Sequence, residues 1–200
     1  MTSSLPAGLR ERKKAKTRAA IRDHAIRLFE EQGYAATTVE QIAEAAEVSP
    51  STFFRYFPTK EDVILTDDYD PLIVAAIKAQ PPQVTPVRAL LNAMSSVFLN
   101  LTPEEWASEQ RRQAIYQTVP ELRARVMNQT VSAIDILAAA LAGRDGKPAD
   151  DVTYRVIAGA MIGVVLAVAP PGGRDGGFGP ADFAQVEAAL GILEEQFTRP

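Results

Sequence analysis

Residues 33–65, GYAATTVEQIAEAAEVSPSTFFRYFPTKEDVIL, decide the fold. Thr37 and Thr38 place hydroxyls where a helix N-terminus needs an acceptor, ahead of an apolar face made by Val39, Ile42, Ala43 and Ala46. That helix is short, because Glu47-Val48 reads as a turn. Ser49 then starts another helix with Pro50 in its first turn, where proline is tolerated, and Pro58 ends it. Upstream, Ile21, Ala25, Leu28 and Phe29 recur at helical spacing until Gly33. Three short helices between roughly Lys13 and Phe57, the last two joined by a tight turn, make a helix-turn-helix at about 37–56. Ile42, Ala43, Ala46, Val48 and Phe53 hold the pair together. Ser51, Thr52 and Arg55 are left on the outer face of the third helix, free to reach bases or phosphates. The helix starts at Thr38 and Ser49 also present backbone N–H groups. The apolar pattern alone would suit any pair of packed core helices.

The charge distribution points the same way. Residues 1–27 hold eight basic side chains (Arg10, Arg12, Lys13, Lys14, Lys16, Arg18, Arg22, Arg27) against Glu11 and Asp23, a net +6. The whole chain is −4, so the remainder carries −10. A basic arm on an acidic body is expected when one end meets phosphate and the other does not.

Working outward, Thr59 caps a fourth helix with Glu61 and Asp62 in its first turn. Val63, Ile64 and Leu65 lead it onward to Leu72, Ile73, Ala76 and Ile77. Another helix carries Leu90, Leu91, Met94, Phe98 and Leu101. Further helices are expected to begin at Pro103, Pro120, Pro148 and Pro180, separated by GRDGKP (143–148) and PPGGRDGGFGP (170–180). No strand-like alternation and no repeat occurs. The expected fold is all-α with about nine helices: a three-helix head at 1–60 and a larger helical body at 61–200.

With 46% hydrophobic and 23% charged residues, the chain can bury a substantial core. It has no cysteine and one histidine, His24, so thiol chemistry is excluded and most imidazole chemistry with it. No catalytic residue, metal site or cofactor is expected. The N-terminus has no apolar run before its charges, unlike a secretory signal. The longest uncharged apolar run, Val156–Ala169, is too short to span a bilayer. It contains Ala158, Gly159, Ala160 and Gly163, small residues that let helices approach closely. A cytoplasmic protein with no membrane partner is expected.

The opening stretch resembles the signature of the TetR family of regulators along its whole length. The matching residues are Gly33, Tyr34, Thr37, Thr38, Val39, Ile42, Ala43, Ala46, Val48, Ser49, Thr52, Phe53, Tyr56, Phe57, Lys60 and Glu61. Two positions depart from it: Glu47 replaces the usual turn glycine, and Phe54 replaces a frequent tyrosine that donates to phosphate. The resemblance implies a DNA-binding set of Thr37, Thr38, Ser49, Ser51, Thr52, Phe54, Arg55, Tyr56 and Lys60. In it Thr38, Tyr56 and Lys60 clamp phosphates, while Ser51, Thr52 and Arg55 lie nearest the major groove. Arg55 has an alternative partner in Glu40 or Glu44. The basic arm adds sequence-independent attraction and could reach a minor groove.

The resemblance further implies a homodimer on double-stranded palindromic operator DNA, acting as a repressor that a small-molecule effector releases. The interface helices would be about 149–168 and 181–197, the second offering Phe183, Val186, Leu190, Leu193 and Phe197. An effector pocket would draw on Met94, Phe98, Trp106, Arg112, Tyr116, Met127 and Met161, with Arg111 and Asp135 as further polar candidates. The fourth helix would be the lever between the two halves. FFRYFPTKEDVILTDDYDPL (53–72) looks like an actinobacterial subgroup that includes regulators of mycofactocin gene clusters.

Overall fold

The computed structural model describes residues 7–66, 69–169 and 178–198, among which every regular element is a helix. Ten helices fall into two compact units, Met1–Thr66 and Asp67–Pro200. The all-α expectation holds.

The first unit begins with α1 (Ala7–Gln32), longer than the spacing of its apolar residues suggested. The cations Arg10, Arg12, Lys13, Lys14 and Lys16 are therefore exposed on a helix rather than on an extended arm. Ile21, Ala25, Ile26 and Phe29 form its buried face. The helix stops at Gly33, which takes φ +88° and donates its N–H to Phe29 O at 3.0 Å. Next comes α2 (Val39–Ala45), whose start is a capping box: Gln41 N donates to Thr38 Oγ1 while Thr38 N donates to Gln41 Oε1.

The turn after α2 is a Schellman motif. Val48 N donates to Ala43 O at 2.9 Å and Glu47 N to Glu44 O at 3.0 Å. Its left-handed residue is Glu47 itself, with φ +54°. The turn thus keeps the glycine-type backbone path without the glycine. Ser49 caps α3 (Pro50–Tyr56) by accepting from Thr52 N at 3.1 Å. Phe53 and Phe57 are wholly buried, one helical turn apart.

A short α4 (Asp62–Leu65) closes the unit. Arg22 reaches it with Nε donating to Val63 O and Nη2 to Thr66 O, at 3.2 and 3.1 Å. Arg18 donates to Tyr56 O at 3.1 Å and lies 4.6 Å over the Phe57 ring. Two of the eight N-terminal cations are therefore internal struts. They and the buried Val63, Ile64 and Leu65 carry the first unit to Thr66, six residues past the expected boundary.

The second unit contains α5 (Asp70–Lys78), α6 (Pro86–Phe98), α7 (Pro103–Thr118), α8 (Pro120–Arg144), α9 (Val152–Val168) and α10 (Asp182–Thr198). The expected single fourth helix is two pieces: Thr66 turns extended (φ −69°, ψ 119°) after α4, and α5 starts afresh at Asp70. Pro103 and Pro120 do open helices, but α9 starts at Val152, capped by Asp151, and α10 at Asp182. Pro148 and Pro180 precede those helices.

Leu90, Met94, Trp106, Leu137, Leu141, Met161 and Phe183 anchor the core of this unit. Phe98 gathers Tyr69, Trp106, Phe178 and Phe183 around it with ring centroids 5.1 to 6.3 Å away. At the end of α8 the Arg144 side chain is 3% exposed. It donates to Asp145 Oδ1 at 2.6 Å and to Val84 O at 3.0 Å. Tyr154 completes the node by donating to Asp145 Oδ2 at 2.9 Å. The Arg144 guanidinium holds the Asp145 carboxyl below the usual carboxylate value. Burial, with the bond to Asp145, pushes the Tyr154 hydroxyl up.

Candidate nucleic-acid interface and ligand cavity

With Phe53 and Phe57 turned inward, α3 presents Ser51, Phe54 and Arg55 to solvent. Ser49 Oγ lies 2.9 Å from Ser51 Oγ and donates to Thr52 Oγ1 at 3.0 Å, so three hydroxyls cluster at the helix start. Thr52 is half-buried and Thr38 is exposed. The Arg55 guanidinium packs 5.4 Å from the Tyr56 ring. Among the described residues it makes no ion pair with Glu40 or Glu44. It remains available to an anion or a guanine edge.

Two members of the expected set sit differently. The Thr37 side chain is 1% exposed; its hydroxyl lies 2.9 Å from Gly33 O and accepts from Gln32 Nε2 at 3.1 Å. It fixes the α1–α2 turn from a buried position. Lys60 Nζ donates to Tyr34 O at 2.8 Å and Thr37 O at 2.9 Å, and lies 4.2 Å from the Tyr34 ring. The ammonium is thus a clasp between the α1–α2 connection and the segment after α3, with one proton left for a phosphate. Tyr56 is half-buried, and its carbonyl is already held by Arg18.

In the second unit a cavity of about 110 Å³ lies among α7, α8 and α9. Gln113, Gln117, Tyr116, Met127, Thr130, Leu166 and Phe178 line it, an amphipathic wall without a charged side chain. Of the expected pocket residues it includes Tyr116 and Met127. Met94, Trp106 and Met161 are buried in the core, and Phe98 is packed against it. Arg112 is engaged by Glu109 through bonds of 2.6 and 2.8 Å. Those five do not line this cavity. Gln113, Thr130, Leu166 and Phe178 were missed, since no sequence period marks which polar residue of a half-buried helix faces inward. Gln113 bridges two partners: it donates to Glu109 Oε1 and accepts from Phe178 N at 2.9 Å.

On α9 the exposed residues Val152, Val156, Ala160, Gly163 and Ala167 form one apolar stripe, with Val152 68% and Val156 64% exposed. On α10, Ala184, Ala188 and Ile192 are also exposed. Phe183 and Val186, expected at an interface, are instead buried within the unit, and Leu190 is half-buried. The side chains of Leu193 and Phe197 lie outside the described residues.

Comparison with known proteins follows the same division. Residues 21–66 match the model of bacterial regulatory proteins of the tetR family, and 84–173 that of the MftR C-terminal domain. The HTH-type transcriptional regulator TcmR of Streptomyces glaucescens is 36% identical over 151 residues, covering 72% of this chain and 67% of that protein. A protein named as a mycofactocin biosynthesis transcriptional regulator, MftR, of Mycobacterium tuberculosis is 27% identical over 157 residues, 78% of this chain and 79% of that one. The solved structure of Thermus thermophilus FadR with lauroyl-CoA covers 92% of this chain and 96% of its own. Its identity is 24% and its TM-score 0.48, a likeness that decides nothing about a ligand here.

Proposed function

The chain belongs to the TetR family of bacterial regulatory proteins, and from that premise we propose that it is a cytoplasmic repressor. It binds a palindromic operator as a homodimer and releases it when a small neutral molecule enters the body. The observation that carries the DNA reading is the outward face of α3. Ser51, Phe54 and Arg55 are exposed while Phe53 and Phe57 lock the helix from behind.

Thr38, Ser49, Thr52, Tyr56 and the remaining proton of Lys60 border that face and supply phosphate contacts. The exposed cations of α1 add attraction without sequence information. Homodimerisation is supported by the apolar stripe of α9 and the exposed Ala184, Ala188 and Ile192 of α10, since small residues allow two copies to close tightly. Two α3 helices about one DNA turn apart, roughly 34 Å, would read the two half-sites.

The cavity among α7, α8 and α9 is the proposed effector site. Its glutamines, tyrosine and threonine suit hydrogen bonds to a neutral, ring-sized compound, while no lining charge favours an ion. Release follows if the effector binds better to a state in which the two heads no longer fit one palindrome.

The test is fluorescence anisotropy of the full chain on random-sequence duplexes across a salt series. Affinity should fall steeply and linearly in log–log form. Replacing Lys13, Lys14 and Lys16 by Gln should flatten the slope by up to about three units. An unchanged slope removes α1 from the interface.

A further inference from the structure

Phe54 is an aromatic side chain on a surface that meets a polar polymer, and its exposure is 49%. It sits three residues after Ser51 and next to Arg55, hence on the base-facing side of α3 and not on its buried side. Its ring meets Phe53 edge-on, with centroids 5.5 Å apart and planes at 89°. Phe53 has no exposed surface, so the Phe54 ring packs against a buried partner on its inner side.

A phenyl ring has no proton to give a phosphate and no acceptor for a base amine. In the major groove, the apolar group that distinguishes one base from the rest is the C5-methyl of thymine. We propose that Phe54 is a specificity-determining residue that reads one thymine methyl in each operator half-site. Burying that methyl against the ring is worth about four-fold in affinity per half-site, and about fifteen-fold when both half-sites lose it. The proposal rests on the operator-binding reading above.

The experiment selects bound duplexes from two random libraries, identical except that the second carries deoxyuridine wherever the first carries thymidine. The full-length wild type, Phe54→Ala and Phe54→Leu are each run, with circular dichroism melts to establish that both variants fold. The wild type should enrich a thymine at one fixed position per half-site from the first library and lose that preference in the second. On a single recovered site, dT→dU at that position should weaken the wild type about four-fold per half-site. In Phe54→Ala the same replacement should cost nothing, while base preferences elsewhere stay. Phe54→Leu, which keeps an apolar surface, should retain part of the discrimination.

A palindrome recovered identically from both libraries would overturn the role of Phe54 and leave the regulator reading intact. So would a Phe54→Ala protein that is weaker on every sequence alike, since that result places the ring on the sugar-phosphate backbone. If neither library yields an enriched site for the wild type, the operator-binding reading fails first and this proposal with it.

Discussion

Replacing Glu47 by glycine should stabilise the first unit, although it removes a side chain and adds none. Glu47 is the one non-glycine residue with positive φ among those described. It holds that conformation because Val48 N and Glu47 N must reach Ala43 O and Glu44 O to close α2 and start α3 on its course. A left-handed L-residue costs roughly 1–2 kcal/mol. Glycine gives back about 0.5–1 kcal/mol through its freer unfolded chain. The net gain is about 1 kcal/mol, which in a chain of this length raises Tm by about 2–4 °C. Charge must be separated from strain, because Glu47 is exposed beside a surface proposed to meet phosphate. Glu47→Gln keeps the strained backbone and loses only the charge, and Glu47→Asn offers a residue more tolerant of this φ. The assay is urea and thermal unfolding of the full chain by circular dichroism, paired with anisotropy on DNA. Stability should rank Gly above Asn above Gln, with Gln near wild type. DNA affinity should rise in all three alike, since each removes one negative charge. A Gly variant no more stable than the Gln variant would refute the strain argument.

Other outcomes follow from the same contacts. Arg22→Ala removes the donors that hold Val63 O and Thr66 O and should cost the first unit about 2 kcal/mol in urea unfolding. Arg22→Lys should rescue little, because one ammonium cannot reproduce the fork. Asp145 titrates below its ordinary value in the fold, so its contribution is present above about pH 4 and is lost as pH falls through the folded value. Asp145→Asn should flatten that acid limb in pH-dependent unfolding. It should also lower stability at neutral pH by leaving the buried Arg144 without its carboxylate. Gly163→Arg, on the outward stripe of α9, should convert a dimer to monomers in sedimentation velocity while the melt stays within a few degrees; an unchanged mass would move the interface elsewhere. Thr130→Trp should fill the α7–α8–α9 cavity, sparing DNA binding but abolishing effector release.

Much of the first unit was legible because local chemistry dictates it. Thr38 and Ser49 cap the helices they precede, Pro50 opens α3, and the apolar spacing marks Ile42, Ala43 and Phe53 as buried. Less legible was which polar side chains the fold consumes. Thr37 and Lys60 look like a hydroxyl and a cation beside DNA, but both satisfy backbone groups around the α1–α2 connection. Arg18 and Arg22 are likewise struts. The Lys60, Arg18 and Arg22 bonds join residues 23 to 44 positions apart, and no local pattern announces them. In the second unit the helical character and the starts at Pro103 and Pro120 were readable, while the starts of α9 and α10 and the cavity were not. Whether Met94 or Met127 faces space depends on how α7, α8 and α9 splay, and both residues look the same in the sequence.

The central claim is that the outward face of α3, presented twice by a dimer, reads a specific palindrome. The most direct measurement is selection of bound duplexes from a random pool by the full-length chain at near-physiological salt. The account predicts enrichment of two inverted half-sites with centres about one helical turn apart. Recovery of no common sequence, with binding that merely weakens as salt rises, would contradict it.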